Sequence, residues 1–169
     1  METINWQPAH LEDPLVQLVP LSEHDFDRLF RVAADPLIWS QHPSSDRYKE
    51  EVFREYFDGA LESKTAFLII DKASGEIIGS TRYYDYKPGS VAIGFTFLAK
   101  EFWGGKYNKA VKRLMIDYAF EFVDKVIFHI GATNLRSQIA TGRLGAVKTG
   151  EFVKDGRLSF EYVLERRIL

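Results

Sequence analysis

The chain has 169 residues, 46% of them hydrophobic and 27% charged, with a formal net charge of −2. This composition is typical of one globular domain of mixed secondary structure, which we expect to span residues 1–169, and the charge argues against a general nucleic-acid-binding protein. The absence of cysteine excludes disulfides, a catalytic thiol and thiolate-bound metals.

Neither end of the chain nor its interior predicts contact with a membrane. No apolar run approaches the ~20 residues that span a bilayer. Residues 1–5 lack the basic and apolar regions of a signal peptide, so we expect a cytoplasmic protein. The histidines, His10, His24, His42 and His129, do not have metal-ligand spacing, and we expect no metal site.

The N-terminal half predicts a strand, two helices and a β-hairpin. Phe26, Leu29 and Ala33 recur at helical spacing behind Ser22, a favoured N-cap. The predicted elements of this half are a strand at residues 15–19, a helix between Ser22 and Asp35, a loop at 37–46, a helix at 47–61, and strands at 66–70 and 77–86.

The C-terminal half predicts alternating strands and helices that end in a second hairpin. Asn134 is a favoured N-cap, and Gly145 is a typical helix stop. The predicted elements are strands at residues 91–98 and 126–130, helices at 107–122 and 134–144, and hairpin strands at 147–153 and 158–165. The order is therefore β-α-α-β-β-β-α-β-α-β-β.

A glycine turn joins the strand at 91–98 to the following helix, with the sequence Phe102-Trp103-Gly104-Gly105-Lys106-Tyr107-Asn108-Lys109-Ala110. Glycine allows a close backbone approach, and a helix N-terminus offers unpaired N–H groups and a partial positive charge. Such a turn can hold phosphates. The alternative is a tight turn that only begins a helix.

These phrases, in this order, resemble the GNAT superfamily, the GCN5-related N-acetyltransferases, and most closely its branch of ribosomal-protein N-terminal acetyltransferases. The resemblance covers nearly the whole chain. The segments that carry it are Ile93-Gly94-Phe95-Thr96, the glycine turn, Asn134-Leu135-Arg136-Ser137 and Leu144-Gly145-Ala146.

The resemblance implies a mixed, mostly antiparallel α/β sheet flanked by about four helices. Its fourth and fifth strands, at residues 91–98 and 126–130, would splay apart to admit acetyl-CoA as co-substrate. The implied reaction is direct acetyl transfer to a primary amine. Protein N-termini, aminoglycosides, polyamines and amino acids all remain open as acceptors.

The resemblance also implies the residues that bind acetyl-CoA. The phosphate loop would comprise Trp103, Gly104, Gly105, Lys106, Tyr107 and Asn108, although Lys106 and Asn108 stand where the family has small residues. Lys109, Lys112 and Arg113 would face the 3′-phosphate or form a solvated helix face. Phe97 and Leu98 would contact the acetyl carbonyl and pantetheine, and Asn134 and Ser137 the thioester end.

The same resemblance suggests catalytic and acceptor-binding groups. Ser137 would protonate the departing thiolate, because Thr141 replaces the usual tyrosine. Ala92 replaces the usual glutamate base, which leaves Glu161, Asp85, His129, Tyr83 and Tyr84 as candidates. Trp39, Arg82, Tyr83 and Tyr84, with Arg47 and Tyr48, would line the acceptor pocket.

Two other functions remain open at this stage. The departures at Ala92 and Thr141 are also compatible with a non-catalytic acyl-CoA-binding domain. A nucleotide-binding α/β protein is a weaker alternative, because the chain lacks a Gly-x-x-x-x-Gly-Lys-Ser/Thr loop. The final hairpin could pair across a homodimer.

Overall fold

The computed structural model describes residues 3–167, so the ends of the expected 1–169 domain, residues 1–2 and 168–169, lie outside it. One sheet of eight strands organises the chain. The strands are β1 (Leu11–Glu12), β2 (Val16–Pro20), β3 (Ala66–Asp71), β4 (Ile77–Lys87), β5 (Ser90–Leu98), β6 (Lys125–Gly131), β7 (Val147–Lys154) and β8 (Arg157–Glu165).

The strands lie side by side in the order β1-β2-β3-β4-β5-β6-β8-β7. Every neighbouring pair is antiparallel except β5 and β6, which run parallel. The predicted mixed, mostly antiparallel fold is confirmed. The predicted fourth and fifth strands are β5 and β6, because the two-residue β1 was not predicted.

Five α-helices flank the sheet, rather than the four that the sequence predicted. They are α1 (Phe26–Ala33), α2 (Pro36–Trp39), α3 (Glu50–Ser63), α4 (Lys106–Ala119) and α5 (Leu135–Arg143). The extra helix is α2, which corrects the predicted loop at 37–46. Asp35 caps it by accepting a hydrogen bond from the Leu37 amide, 3.0 Å away, and Pro36 fits the first helical position.

Both faces of the sheet are covered by buried side chains. Met115 and Ile116 of α4 pack on one face, against Tyr83 and Ile93 of the sheet. On the other face, α1, α2 and α3 enclose a second core around Trp39, which is fully buried. The strands are thus fixed from both sides, so the gap between β5 and β6 has rigid walls.

No helix within residues 3–167 is long and apolar enough to cross a membrane. Strand β7 forms one edge of the sheet, and an edge strand is needed if the last hairpin is to pair with a second copy. The homodimer and the cytoplasmic location stay predictions from the sequence.

Candidate functional site

The site begins where β5 and β6 separate. The two strands pair over three positions only, from Ser90 opposite Lys125 to Ala92 opposite Ile127, and then diverge. The predicted splay is therefore confirmed. Beyond Ala92, the edge of β5 that faces β6 has no strand partner among the described residues, and two cavities open along the divergence.

The first cavity, which we call the cationic cleft, has a volume of about 550 Å³. Its walls come from the end of β5, from the glycine turn and from α5. Lys112, Arg136 and Arg143 line it, and its lining includes no carboxylate from the described part of the chain. A cleft with this charge favours a ligand that carries several negative charges.

The glycine turn lies open to the cationic cleft. Gly104 and Gly105 have φ angles of +116° and +97°, which L side chains rarely adopt, while a Cβ at either position would meet nothing within 4 Å. Backbone conformation, rather than crowding, therefore requires glycine here. Gly105 is the N-cap of α4 and makes no side-chain capping hydrogen bond. The first amides of this 14-residue helix therefore have no capping partner.

Arg136 and Trp103 connect the two walls of the cationic cleft. The Arg136 guanidinium carbon lies 3.7 Å from the centre of the Trp103 ring, a cation–π contact. Trp103 is itself fixed by its indole N–H, which donates to the Leu98 carbonyl over 2.9 Å. Burial lowers the pKa of Arg136, but an arginine still keeps its charge at neutral pH.

The second cavity has a volume of about 800 Å³ and is lined mainly by β4, β5, β6, β7 and β8. We call it the acceptor cavity because Arg82 and Tyr84, which were expected to bind the acceptor, line it. Arg47 and Arg82 line one part of it. Another part is lined by His129, which lies opposite Glu161 in the β6–β8 pair. The Nδ1 atom of His129 and the Tyr84 hydroxyl form a hydrogen bond of 3.0 Å.

Glycine 94 allows Tyr84 to reach across β5 towards His129. A Cβ at Gly94 would lie 2.8 Å from a carbon of the Tyr84 ring, closer than real Cβ atoms come. Burial lowers the pKa of His129, an effect that the nearby Glu161 and Asp85 carboxylates oppose. Burial also raises the pKa of Tyr84, so this hydroxyl stays protonated.

The two cavities meet along a shared wall, which we call the junction. The residues that line both cavities are His42, Thr96, Lys112, Asn134, Ser137 and Thr141. Asn134 caps α5 by accepting a hydrogen bond from the Ser137 amide at 3.3 Å. A group bound in either cavity can therefore approach the same side chains.

Lys112 is the only lysine in the junction, and it is 7% exposed. Its ammonium nitrogen donates to the Thr96 hydroxyl over 2.6 Å, and that oxygen lies 2.8 Å from the Thr81 hydroxyl. Burial lowers the pKa of Lys112 to about 7. At neutral pH a substantial fraction of this amine is therefore uncharged, whereas an exposed lysine is almost wholly protonated.

A bulge in β5 positions Thr96 beside Lys112. Opposite β4, the register shifts so that Phe95 and Thr96 together face Thr81. Phe95 has a φ of +54°, uncommon for a bulky side chain. The Tyr56 hydroxyl donates to the Phe95 carbonyl, and the Arg82 guanidinium lies 3.5 Å from the centre of its ring. These contacts hold the unfavourable conformation in place.

Most of the residues predicted to bind acetyl-CoA lie together. Those that line the cationic cleft are Phe97, Leu98, Trp103, Gly104, Gly105, Asn108, Asn134 and Ser137. Lys106, Tyr107 and Lys109 lie outside that lining. The Tyr107 hydroxyl instead donates to the Asp71 carboxylate, 3.1 Å away.

The residues predicted for the acceptor separate into two groups. Arg82, Tyr84 and Glu161 line the acceptor cavity. Trp39 and Tyr83 are instead fully buried in the two cores. The Trp39 indole donates to the Ala33 carbonyl over 2.8 Å, and the Tyr83 hydroxyl donates to the Met115 carbonyl over 2.6 Å.

Sequence reasoning assigned no role to three residues that line the cavities, His42, Arg136 and Arg143. It offered two positions for Lys112, beside the 3′-phosphate or on a solvated helix face, but Lys112 is three residues before Met115 and four before Ile116, on the buried side of α4. Helical spacing could have placed it there. His42 comes from the loop after α2, which no periodic pattern marks.

His42 contributes no charge to the junction at neutral pH. Burial, reinforced by Arg47 and Arg136, lowers its pKa to about 4. Its ring packs edge-on against Trp39, with ring centres 5.1 Å apart. His42 is therefore a neutral imidazole between the two cavities.

The sequence matches the family model described as "Acetyltransferase (GNAT) domain" over residues 16–147. A GCN5-related N-acetyltransferase from Brucella melitensis is 22% identical, with a TM-score of 0.79 over 94% of this chain and 80% of its own. Ribosomal-protein-S5-alanine acetyltransferase from Vibrio fischeri is 18% identical, with a TM-score of 0.69 over 94% and 97% of the two chains. Mycobacterium smegmatis RimJ, in complex with CoA-disulfide, is 17% identical, with a TM-score of 0.68 over 89% and 81%. At these identities the structural likeness concerns the fold.

Proposed function

The chain belongs to the GNAT acetyltransferase family, and we propose that it is an enzyme that transfers an acetyl group from acetyl-CoA to a primary amine. The family predicted from the sequence is confirmed, and the fold is similar to that of ribosomal-protein acetyltransferases. We also propose that residues 1–169 form one such domain.

The observation that carries this proposal is the meeting of the two cavities at the junction. A transferase must bring a donor and an acceptor into contact while binding each by different means. The cationic cleft suits a phosphorylated donor, and the acceptor cavity, with both signs of charge, suits a different molecule. Their shared wall is where an acetyl group could pass from one to the other.

The residues of the cationic cleft fit the CoA part of acetyl-CoA. Gly104 and Gly105, followed by the amides of Lys106 and Tyr107, would hold the diphosphate, because free amides at a helix N-terminus bind anions. Arg136 and Arg143 would add charge-assisted hydrogen bonds. The remaining predicted contacts, at Trp103, Asn108 and Lys109, would support this end, and Phe97, Leu98 and Asn134 the pantetheine arm.

Acetyl-CoA supplies a thioester, whose carbonyl carbon an amine can attack without a covalent enzyme intermediate. Unpaired N–H groups along residues 96–98 of β5, on the edge facing the splay, would stabilise the negative charge that forms on the carbonyl oxygen. This assignment agrees with a chain that has no cysteine to act as a nucleophile.

Lys112 is the group best arranged to move the proton. An ammonium acceptor loses two protons on becoming an amide, one before it attacks and one after, and a base with a pKa near the working pH accepts a proton efficiently. The first proton would go to solvent. Neutral Lys112 would take the second from the attacking nitrogen, and protonated Lys112 would return it to the sulfur of the departing CoA. The Ser137 hydroxyl, also in the junction, is the second proton donor, whereas Glu161 lines the acceptor cavity outside the junction.

A thiol-release assay tests the proposal. Purified protein would be mixed with acetyl-CoA and a panel of primary amines, and free CoA would be followed with a thiol reagent. Thermal shifts with CoA, acetyl-CoA and ATP would be measured in parallel, because a ligand that binds the folded state raises Tm. We expect a shift with CoA and acetyl-CoA, no shift with ATP, and amine-dependent thiol release.

The departures at Ala92 and Thr141 favour one second candidate, a non-catalytic acyl-CoA-binding domain. Ala92 is fully buried and Thr141 is 4% exposed, and neither side chain supplies the carboxylate or the phenol that the family has at its position. A thermal shift with acetyl-CoA, but no thiol release with any amine, would support this alternative. No shift with either CoA compound would contradict both.

A further inference from the structure

Two arginines in the acceptor cavity are close together but lack an acidic partner. Arg82 is 8% exposed, and its Nε atom is buried without a hydrogen-bond partner. Arg47 lies in the loop before α3, and both side chains line the cavity. Among residues 3–167, neither guanidinium is within ion-pair distance of a carboxylate.

The two guanidinium groups surround the same aromatic rings. Their carbons lie 5.1 Å and 5.6 Å from the centre of the Tyr56 ring, for Arg47 and Arg82 respectively. From the centre of the Phe95 ring they lie 6.0 Å and 3.5 Å away. Aromatic faces partly stabilise a cation, but they leave the planar set of N–H donors unused.

This arrangement is costly without an anion. Burial lowers the pKa of Arg82, and the neighbouring positive charge of Arg47 lowers it further, while Tyr56 and Tyr84 oppose the effect. Burial also lowers the pKa of Arg47, an effect that Tyr56 and Asp46 oppose, although Asp46 forms no ion pair with Arg47. A buried and a half-buried cation with free donors indicate a site that a bound anion would complete.

The position of the pair relates this anion to the transferred group. Arg82 packs on Phe95, and Phe95 is adjacent to Thr96, which bonds to Lys112 in the junction. An acceptor whose amine reaches the junction would therefore place a nearby negative group beside the two arginines. A planar guanidinium matches the two oxygens of a carboxylate.

The rest of the cavity favours a zwitterion over a polyanion. Asp85, Glu151 and Glu161 also line it, and they would attract an ammonium group and repel a multiply charged phosphate. We propose, on the basis of the acetyl transfer proposed above, that the acceptor is an amino carboxylate, an amine whose molecule also carries a carboxylate held by Arg47 and Arg82.

The first test measures carboxylate binding without any turnover. Isothermal titration of wild-type protein with 3-phenylpropionate would be compared with 3-phenylpropionamide, a neutral molecule of the same shape. We expect the carboxylate to bind about tenfold or more tightly, as charge-assisted hydrogen bonds imply. Equal affinity for the two probes, or binding of neither, would overturn the inference.

Variants then assign the binding to the two arginines. Arg82→Gln and Arg47→Gln should each weaken 3-phenylpropionate about tenfold or more. Arg31→Gln, at an exposed position of α1, is the matched control and should bind as wild type does. If Arg82→Gln does not fold, Arg47→Gln and the two wild-type titrations still test whether the arginines bind the carboxylate. Unchanged binding in a folded Arg47→Gln protein would contradict the proposal.

Turnover identifies the source of the carboxylate. Phenylalanine would be compared with phenylalaninamide, with 2-phenylethylamine and with the dipeptide Phe-Asp. In Phe-Asp the amine belongs to the phenylalanine, and both carboxylates belong to the aspartate. Preference for phenylalanine supports a free amino carboxylate, and preference for Phe-Asp supports an acidic peptide. Equal use of 2-phenylethylamine would overturn the inference but leave acetyl transfer intact. Intact carboxylate binding with no turnover of any amine would instead reject the proposed function alone.

Discussion

The cationic cleft and the acceptor cavity share a wall but differ in charge. The cationic cleft is lined by Lys112, Arg136 and Arg143 without an acidic partner among the described residues. The acceptor cavity combines Arg47 and Arg82 with several carboxylates. The first arrangement suits any polyanion, whereas the second requires charges of both signs at set positions. In the proposed reaction, donor recognition would therefore be general and acceptor recognition specific.

The two cavities also differ in how the chain builds them. The cationic cleft uses backbone groups of one continuous turn, at Gly104 and Gly105, and the start of α5. The acceptor cavity collects side chains from distant parts of the sequence, such as Arg47, Arg82 and Glu161. A motif can identify the first kind of site, but only the fold brings the second together.

The largest expected effect is at the junction, where the two cavities would lose their common proton carrier. Lys112→Met keeps the length of the side chain and removes the amine. We expect kcat/KM to fall about 10²- to 10⁴-fold, the usual contribution of general acid–base catalysis. The affinity for CoA, measured by titration, should change much less, because the diphosphate would bind at the glycine turn.

The control for this change is Lys125→Met, at an exposed lysine of β6. It should leave both the rate and the affinity as in wild type. A Lys112→Met enzyme that retains full activity would remove Lys112 from the proton path and leave Ser137 as the remaining candidate in the junction.

The pH dependence of the rate sharpens the same point. Burial lowers the pKa of Lys112 to about 7, so its neutral, proton-accepting form decreases as pH falls below that value. With an acceptor that is already uncharged at pH 6, kcat/KM should fall about tenfold per pH unit below 7 and level off above it. If kcat/KM of the Lys112→Met variant still changes with pH around the same value, the inflection belongs to another group.

Stability should depend on pH through the same lysine. The pKa of this group is 10.5 in an ordinary environment and about 7 in the folded protein, so between these values the unfolded chain binds more protons. The free energy of unfolding should therefore rise with pH from about 7 towards 10, by at most about 1.4 kcal/mol per pH unit. Denaturant titrations of wild type and Lys112→Met over this range should differ in slope; parallel curves would contradict the lowered pKa.

The sequence predicted the strands and the helix at the glycine turn because each depends on local patterns, whereas the splay of the sheet was implied by the family resemblance. Alternation and glycine turns mark the strands, and Asn134 marks the start of α5. It could not tell that Tyr83 points into the core while Arg82 points into the acceptor cavity, because that depends on which face of β4 each helix covers. The burial of Lys112 was not predicted, because a lysine is normally assigned to the surface.

Arg136 offers a smaller test of the difference between the cavities. Arg136→Ala removes a cation of the cationic cleft and its contact with Trp103. We expect the Kd for acetyl-CoA to rise about tenfold, as the loss of one charge-assisted hydrogen bond implies. Titration with 3-phenylpropionate should give the wild-type result. Weaker binding of both ligands would show that the two cavities do not act independently.

The smallest expected effect concerns Tyr107, which the family resemblance assigned to CoA and the fold positions against Asp71. Two hydrogen bonds, from Ser74 and Tyr107, help to lower the pKa of Asp71, so Tyr107→Phe removes one donor to a carboxylate. Because this contact joins a buried carboxylate to a half-buried phenol, we expect only a small decrease in the midpoint of urea denaturation. The Kd for CoA should stay the same, since the backbone amide of residue 107, and not its side chain, faces the diphosphate in the proposed complex. A stable variant with weakened CoA binding would show instead that the Tyr107 phenol contacts the ligand and that the binding site extends further along α4.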